Sequence, residues 1–220
     1  MNFTLNEIEA RVLGSLIEKE ITTPEYYPMT LNALTNACNQ KSNRDPVMNL
    51  SEKDVLSAID TLKDKKLSWQ FSSVGGRVPK YEHNLRSLFT FSKEETAVLC
   101  ILLLRGPQTI GEIRTRTDRL FSFSSLEETE KTIRALIERD GGPFIIELPR
   151  QSGHKESRFM HLFCGMPDLS SINEQSIQAG FLPSTSKSDR LLILEEEVKE
   201  LRSEIADLRE QFYDFKKQLE

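Results

Sequence analysis

The stretch EARVLGSLI at residues 9–17 returns as ETAVLCILL at residues 95–103, so that Val12, Leu13, Leu16 and Ile17 are answered by Val98, Leu99, Leu102 and Leu103. Apolar residues three and four apart predict one buried helical stripe in each copy. Asn6 with Glu9, and Ser92 with Glu95, have the capping-box spacing that satisfies free N–H groups at a helix start. A stretch that recurs with its cap points to a supersecondary unit used twice.

The flanking sequence repeats as well. A second helix is predicted from Thr30 to Leu34 and again from Thr109 to Ile113, after a long approach (TTPEYYP, 22–28) in the first copy and a short one (GPQ, 106–108) in the second. The third helix opens at Ser51 with Val55, Ile59 and Leu62 inward; its counterpart opens at Ser124 or Ser125 with Ile133 and Leu136 inward. Leu67, Trp69 and Phe71 then alternate before Gly75 and Gly76, and residues 78–81 return; residues 144–148 lead to Gly153, and 158–164 return. Two such runs around a glycine turn predict a hairpin. Three helices closed by a hairpin make a winged helix. The expected fold class is mainly α with small β-hairpins (α+β): tandem winged-helix domains at 1–90 and 91–165, a linker at 166–188 and a C-terminal coiled-coil helix at 189–220. The linker is Ser-rich, with Pro167 and Pro183, and could hold a short helical stretch near Ile172 to Ala179.

In the tail, Leu191, Leu194, Val198, Leu201, Ile205, Leu208, Phe212, Phe215 and Leu219 follow one another in alternating steps of three and four. That is a seam repeating every 3.5 residues. Val198 and Ile205 at one core position with leucines at the other favour two parallel strands. Flanking charges agree, because a parallel pair sets Arg190 against Glu195, Glu197 against Arg202 and Glu204 against Arg209. The expected partner is therefore a second copy of the chain in a parallel coiled-coil homodimer. The competing reading, an amphipathic helix folded onto its own body, would want a wider apolar face.

The 29 basic and 34 acidic residues are unevenly spread. Residues 1–90 and 91–165 each hold 11 of either sign, and residues 166–220 hold 7 basic against 12 acidic. The body is electrically balanced, so any basic patch must arise by local sorting. Cys38, Cys100 and Cys164 are widely spaced and odd in number, which suggests reduced, mostly buried thiols and a cytoplasmic setting. The first residues lack the basic-then-apolar pattern of a signal peptide. The longest apolar run, 97–104, is too short to cross a bilayer.

Chemistry-bearing constellations are sparse. His83, His154 and His161 form neither HExxH nor a Cys/His cluster at zinc spacing, and the paired glycines lack a phosphate-cradle frame. No enzyme activity, metal or cofactor is expected. A winged helix usually places its third helix in the major groove and its hairpin along the backbone. Candidate contacts to duplex DNA in the first repeat are Lys41, Asn43, Arg44, Lys53, Arg77 and Lys80. In the second they are Arg114, Arg116, Arg119, Lys131, Arg134, Arg150, Lys155 and Arg158. Against this, acidic residues on both third helices would repel phosphates, whose neutralisation dominates affinity. The alternative is an adaptor that grips another cytosolic protein with the same modules.

The strings TTPEYYP (22–28), NQKSNRDPVMNL (39–50), LLLRGPQT (102–109) and ESRFMHLF (156–163) resemble the bacterial YceH family over about residues 5–165. The resemblance implies tandem winged-helix domains and carries over no catalytic residue. Within it, the loop Asn39–Asn49 has two readings. Its amides could bond to backbone and fix the third helix, with Asn43 capping a turn. Or Lys41 and Arg44 could meet phosphate or a partner's carboxylates, with Asn43 reading a base edge.

Overall fold

Asn6 opens helix α1 (Glu7–Thr22) as its spacing predicts: its side chain accepts from the Glu9 N–H at 2.9 Å and the Glu9 carboxylate accepts from the Asn6 N–H at 2.8 Å. This is seen in a computed structural model that describes residues 3–71, 78–150 and 156–167. The seam positions Leu191 to Leu219, most of the expected linker, and the turns at Gly75, Gly76 and Gly153 lie outside the described residues. The described part is mixed α/β, with seven α-helices and two small antiparallel sheets.

After α1 come strand β1 (Met29–Thr30), α2 (Leu31–Cys38), α3 (Glu52–Asp64), and strands β2 (Ser68–Phe71) and β3 (Lys80–His83). The short helix α4 (Leu85–Leu88) leads into α5 (Lys93–Arg105), α6 (Ile110–Thr117), α7 (Leu126–Glu138), β4 (Ile145–Glu147) and β5 (Phe159–His161). Helices α2 and α3 start on Thr30 and Ser51; α5, α6 and α7 start on Ser92, Thr109 and Ser125. The last cap decides between Ser124 and Ser125. In the first sheet β3 lies between β1 and β2, and β4 pairs with β5 in the second. Strand β1 was not expected, since two residues leave no periodicity to read. It forms because β3 offers a free edge, where Met29 pairs with Tyr81. The second repeat has a reduced version at the same place: Gln108, just before α6, makes a single bridge to Phe159, with N–H to O distances of 3.0 and 2.7 Å.

The repetition extends to an ion pair absent from the sequence expectation. Glu9, buried in the first turn of α1, takes the Lys65 ammonium at 2.6 Å, and Lys65 is the residue that ends α3. Glu95, in the same position of α5, takes the Arg139 guanidinium at 2.7 Å, and Arg139 ends α7. Each carboxylate thus closes its own helix start and fastens the far end of the third helix to it. Burial works against the Glu9 carboxylate, but the bonds from Lys65, Thr61 and Asn6 together hold its pKa below the ordinary value.

Helices α1 and α5 pack against each other at matching positions. The Cys100 thiol lies 3.5 Å from the Gly14 carbonyl oxygen, and Gly14 and Cys100 occupy the same place in the two copies. A Cβ at Gly14 would stand 2.9 Å from Leu104 Cδ2 and 3.1 Å from Leu103 Cβ, so glycine is what lets the helices approach. A single apolar core therefore runs through both repeats, from Leu16, Leu34 and Ile59 to Leu99, Ile133 and Phe144.

Arg11 is 2 % exposed and has no carboxylate partner among the described residues; it donates to the carbonyls of Cys38 (3.2 Å), Pro46 (2.6 Å) and, weakly, Leu104 (3.5 Å). Cys38 and Leu104 sit at the C-terminal ends of α2 and α5, where unpaired carbonyls carry partial negative charge. One cation thus caps a helix from each repeat.

His161 is buried on β5, and its Nδ1 has no hydrogen-bond partner among the described residues. Burial pushes its pKa down to about 4 from 6.5, so the folded protein holds the ring neutral while the unfolded chain protonates it. Stability from this group is intact above pH 6.5 and declines as pH falls towards 4, at about 1.4 kcal/mol per pH unit. Urea unfolding at pH 6.5 and 5 is expected to differ by about 2 kcal/mol from this source, and His161→Leu should remove most of that slope. An equally steep slope in the variant would mean the ring is solvated in the folded state.

Candidate functional site

The loop that follows α2 is built around Asn39. Its side-chain amide donates to the Leu50 carbonyl and its oxygen accepts from the Leu50 N–H, both at 2.8 Å, which closes the loop one residue before the Ser51 cap of α3. At this residue the amide does fix the third helix. The middle of the loop projects toward the second repeat. Asn43, at φ 59°, accepts a hydrogen bond from the Arg105 guanidinium at the end of α5, so its side chain ties the two repeats together.

Between this loop, the end of α1 and the end of α6 lies an open cleft of about 540 Å³. Among the described residues its cations are Lys19, Lys41, Arg116 and Arg119, and its one carboxylate is Glu18. Glu18 is already engaged: its oxygens accept from Arg44 at 2.6 and 3.1 Å, with Lys19 at 3.6 Å. Among the described residues the one carboxylate Arg116 meets is Glu112, at 3.4 Å. Arg105 stands beside the group with its Nε buried and unpartnered among the described residues. Burial, and after it the charges of Arg116 and Arg44, push the Arg105 guanidinium below its ordinary pKa. Four cations gathered around one carboxylate that is already occupied form a site that an anion would stabilise.

Residues 5–154 match the model of a family described as "Protein of unknown function, DUF480". The chain belongs to the DUF480 family. A UPF0502 protein of Geotalea uraniireducens is 52 % identical with the whole of both chains aligned, and one of Geobacter sulfurreducens is 50 % identical over the same full span. A UPF0502 protein of Vibrio parahaemolyticus is 49 % identical over 96 % of this chain and 97 % of its own. These relatives agree with the resemblance to the YceH family. All four cleft cations fall inside the DUF480 match.

The structure sorts the expected contact residues of this DUF480 chain into four groups. Lys41, Asn43, Arg116 and Arg119 converge on the cleft. Lys53, Lys80, Arg114, Lys131 and Arg150 are exposed but lie elsewhere. Arg114 donates to the Ser124 carbonyl, and Arg134 is held by Glu130 four residues before it at 2.6 Å. Arg77 and Lys155 lie outside the described residues. Arg44 is corrected outright. It is 5 % exposed, and its guanidinium is spent on the Ala37 carbonyl, the Asn43 carbonyl and both Glu18 oxygens, so it is a strut beneath the cleft and not a surface contact. Arg158 is likewise turned inward, to the Pro107 carbonyl and Glu112.

Lys19 lines the site and Arg105 stands beside it, bonded to Asn43, though neither was among the expected residues. Lys19 sits between Glu18 and Glu20 and reads as one charge on a mixed helix face. Only the packing of α1 against α5, which also carries α6, reveals it. The third helices keep the character read from sequence: Glu52, Asp54, Asp60 and Asp64 are exposed on α3, and Glu127 and Glu138 on α7. No helix among the described residues is long and apolar enough to cross a membrane.

Proposed function

We propose that the protein is a non-enzymatic, homodimeric, tandem winged-helix protein that binds duplex DNA, with the phosphate backbone held in the cleft between the repeats. Each repeat supplies three helices and a hairpin in the order a winged helix uses. The observation that carries the reading is the convergence of Lys19 and Lys41 from one repeat with Arg116 and Arg119 from the other on a single cleft whose carboxylate is occupied. Phosphate contacts of this kind position a duplex without reading its sequence.

Fluorescence anisotropy of a short labelled duplex titrated with the protein at about 50 mM salt tests the reading. Saturable binding that weakens as salt rises is expected; no binding at that salt ends it.

Dimerisation rests on the seam between Leu191 and Leu219. Charged residues at its core positions should abolish it. Val198→Lys with Ile205→Lys in the full chain is expected to halve the mass measured by light scattering. A wild-type monomer at micromolar concentration would refute it.

A second reading, an adaptor that grips another protein, is favoured by the acidic exposed faces of α3 and α7. It is also favoured by Trp69 and Phe71 on β2, which are 52 % and 57 % exposed. Aromatic side chains of that size are anchors at protein interfaces.

A further inference from the structure

We propose that a groove on the second repeat, between α7 and the β4–β5 hairpin, binds a partner protein segment in which Lys or Arg residues flank apolar ones. The groove has a volume of about 340 Å³, with Ile110, Leu126 and Phe159 as its apolar surface and Glu130, Glu147 and Glu156 at its edge. Leu126 opens α7 and is 50 % exposed, a large apolar side chain left in water where the groove begins. Among the described residues Arg134 is the cation that meets this edge: it bonds to Glu130 and also feels the charges of Glu138 and Glu147. Among the described residues neither Glu147 nor Glu156 takes part in an ion pair. The groove therefore offers apolar area together with a carboxylate excess.

That combination discriminates between occupants. In a winged helix the space between third helix and hairpin is where a duplex would approach, but these carboxylates would repel phosphates. The chain's own tail is disfavoured by sign, since residues 166–220 carry 7 basic against 12 acidic residues. A cationic segment with apolar anchors suits both features: its charges steer it to the edge and its apolar residues cover Leu126. The groove shares no residue with the basic cleft, so this inference stands apart from the DNA reading.

A random peptide display library selected against the full-length protein tests it. Two variants serve as controls. The first is Glu130→Lys with Glu147→Lys and Glu156→Lys. The second is Gly111→Phe, at a position that lines the groove and where an added Cβ meets nothing within 4 Å. Enriched peptides are expected to carry Lys or Arg around apolar residues and to lose affinity at least about tenfold on each variant. Enriched peptides that bind Gly111→Phe as well as wild type would overturn the proposal. So would a selected set that is acidic like residues 189–220, or a labelled duplex that Gly111→Phe displaces.

Discussion

Arg44→Ala should lower the unfolding free energy by about 3–5 kcal/mol, whereas Lys41→Ala, three residues away, should change it by less than about 0.5 kcal/mol. The two positions look alike in sequence, since both are cations in one polar loop. Folding separates them. The Arg44 side chain is fully buried, and removing it leaves the Glu18 carboxylate, whose side chain is only 12 % exposed, with little besides Lys19 and the Ala37 carbonyl without its donors. An uncompensated buried charge is among the costliest single changes. Lys41 is exposed and has no such duty. Urea unfolding midpoints of the two variants decide the matter. A stable Arg44→Ala would mean that Glu18 finds water or another cation, and that the strut beneath the cleft is dispensable.

Gly14→Leu is expected to cost about 3 kcal/mol, through forced separation of α1 and α5. The helix itself would gain from losing a glycine, by about 1 kcal/mol. The contact outweighs it: even a Cβ at Gly14 falls 3.1 Å from Leu103 Cβ, which cannot move without its helix. The same substitution should weaken DNA binding, because the cleft is assembled only when the two repeats meet. A thermal melt that shifts upward in Gly14→Leu would show that the helices have slack.

The repeat was legible because each copy signs its own beginnings. Asn6, Thr30, Ser51, Ser92, Thr109 and Ser125 are short polar residues placed ahead of apolar stripes, and every one caps the helix it precedes. Strand β1 was not legible, since its two residues pair with a segment 50 residues away and carry no local pattern. The fate of the cations was legible only in part. Lys41 and Arg116 could be named as charged and polar-faced, but their meeting depends on the Gly14–Cys100 packing, a long-range event. Arg44 escaped the sequence reading for the same reason: its partner Glu18 lies 26 residues earlier, on α1. The ion pairs Glu9–Lys65 and Glu95–Arg139 had a usable signal. Each joins a capping-box glutamate to the cation that ends the third helix, and the same spacing logic in both repeats could have found them.

Shared custody of one phosphate backbone by both repeats is tested most directly by the salt dependence of duplex affinity in wild type and in Lys41→Ala with Arg116→Ala and Arg119→Ala. Each lost phosphate contact removes about 0.9 from the slope of log affinity against log salt. A slope shallower by about 2–3 is expected in the triple variant, with its unfolding midpoint unchanged. A slope as steep as that of wild type would place the DNA elsewhere on the molecule and contradict the account.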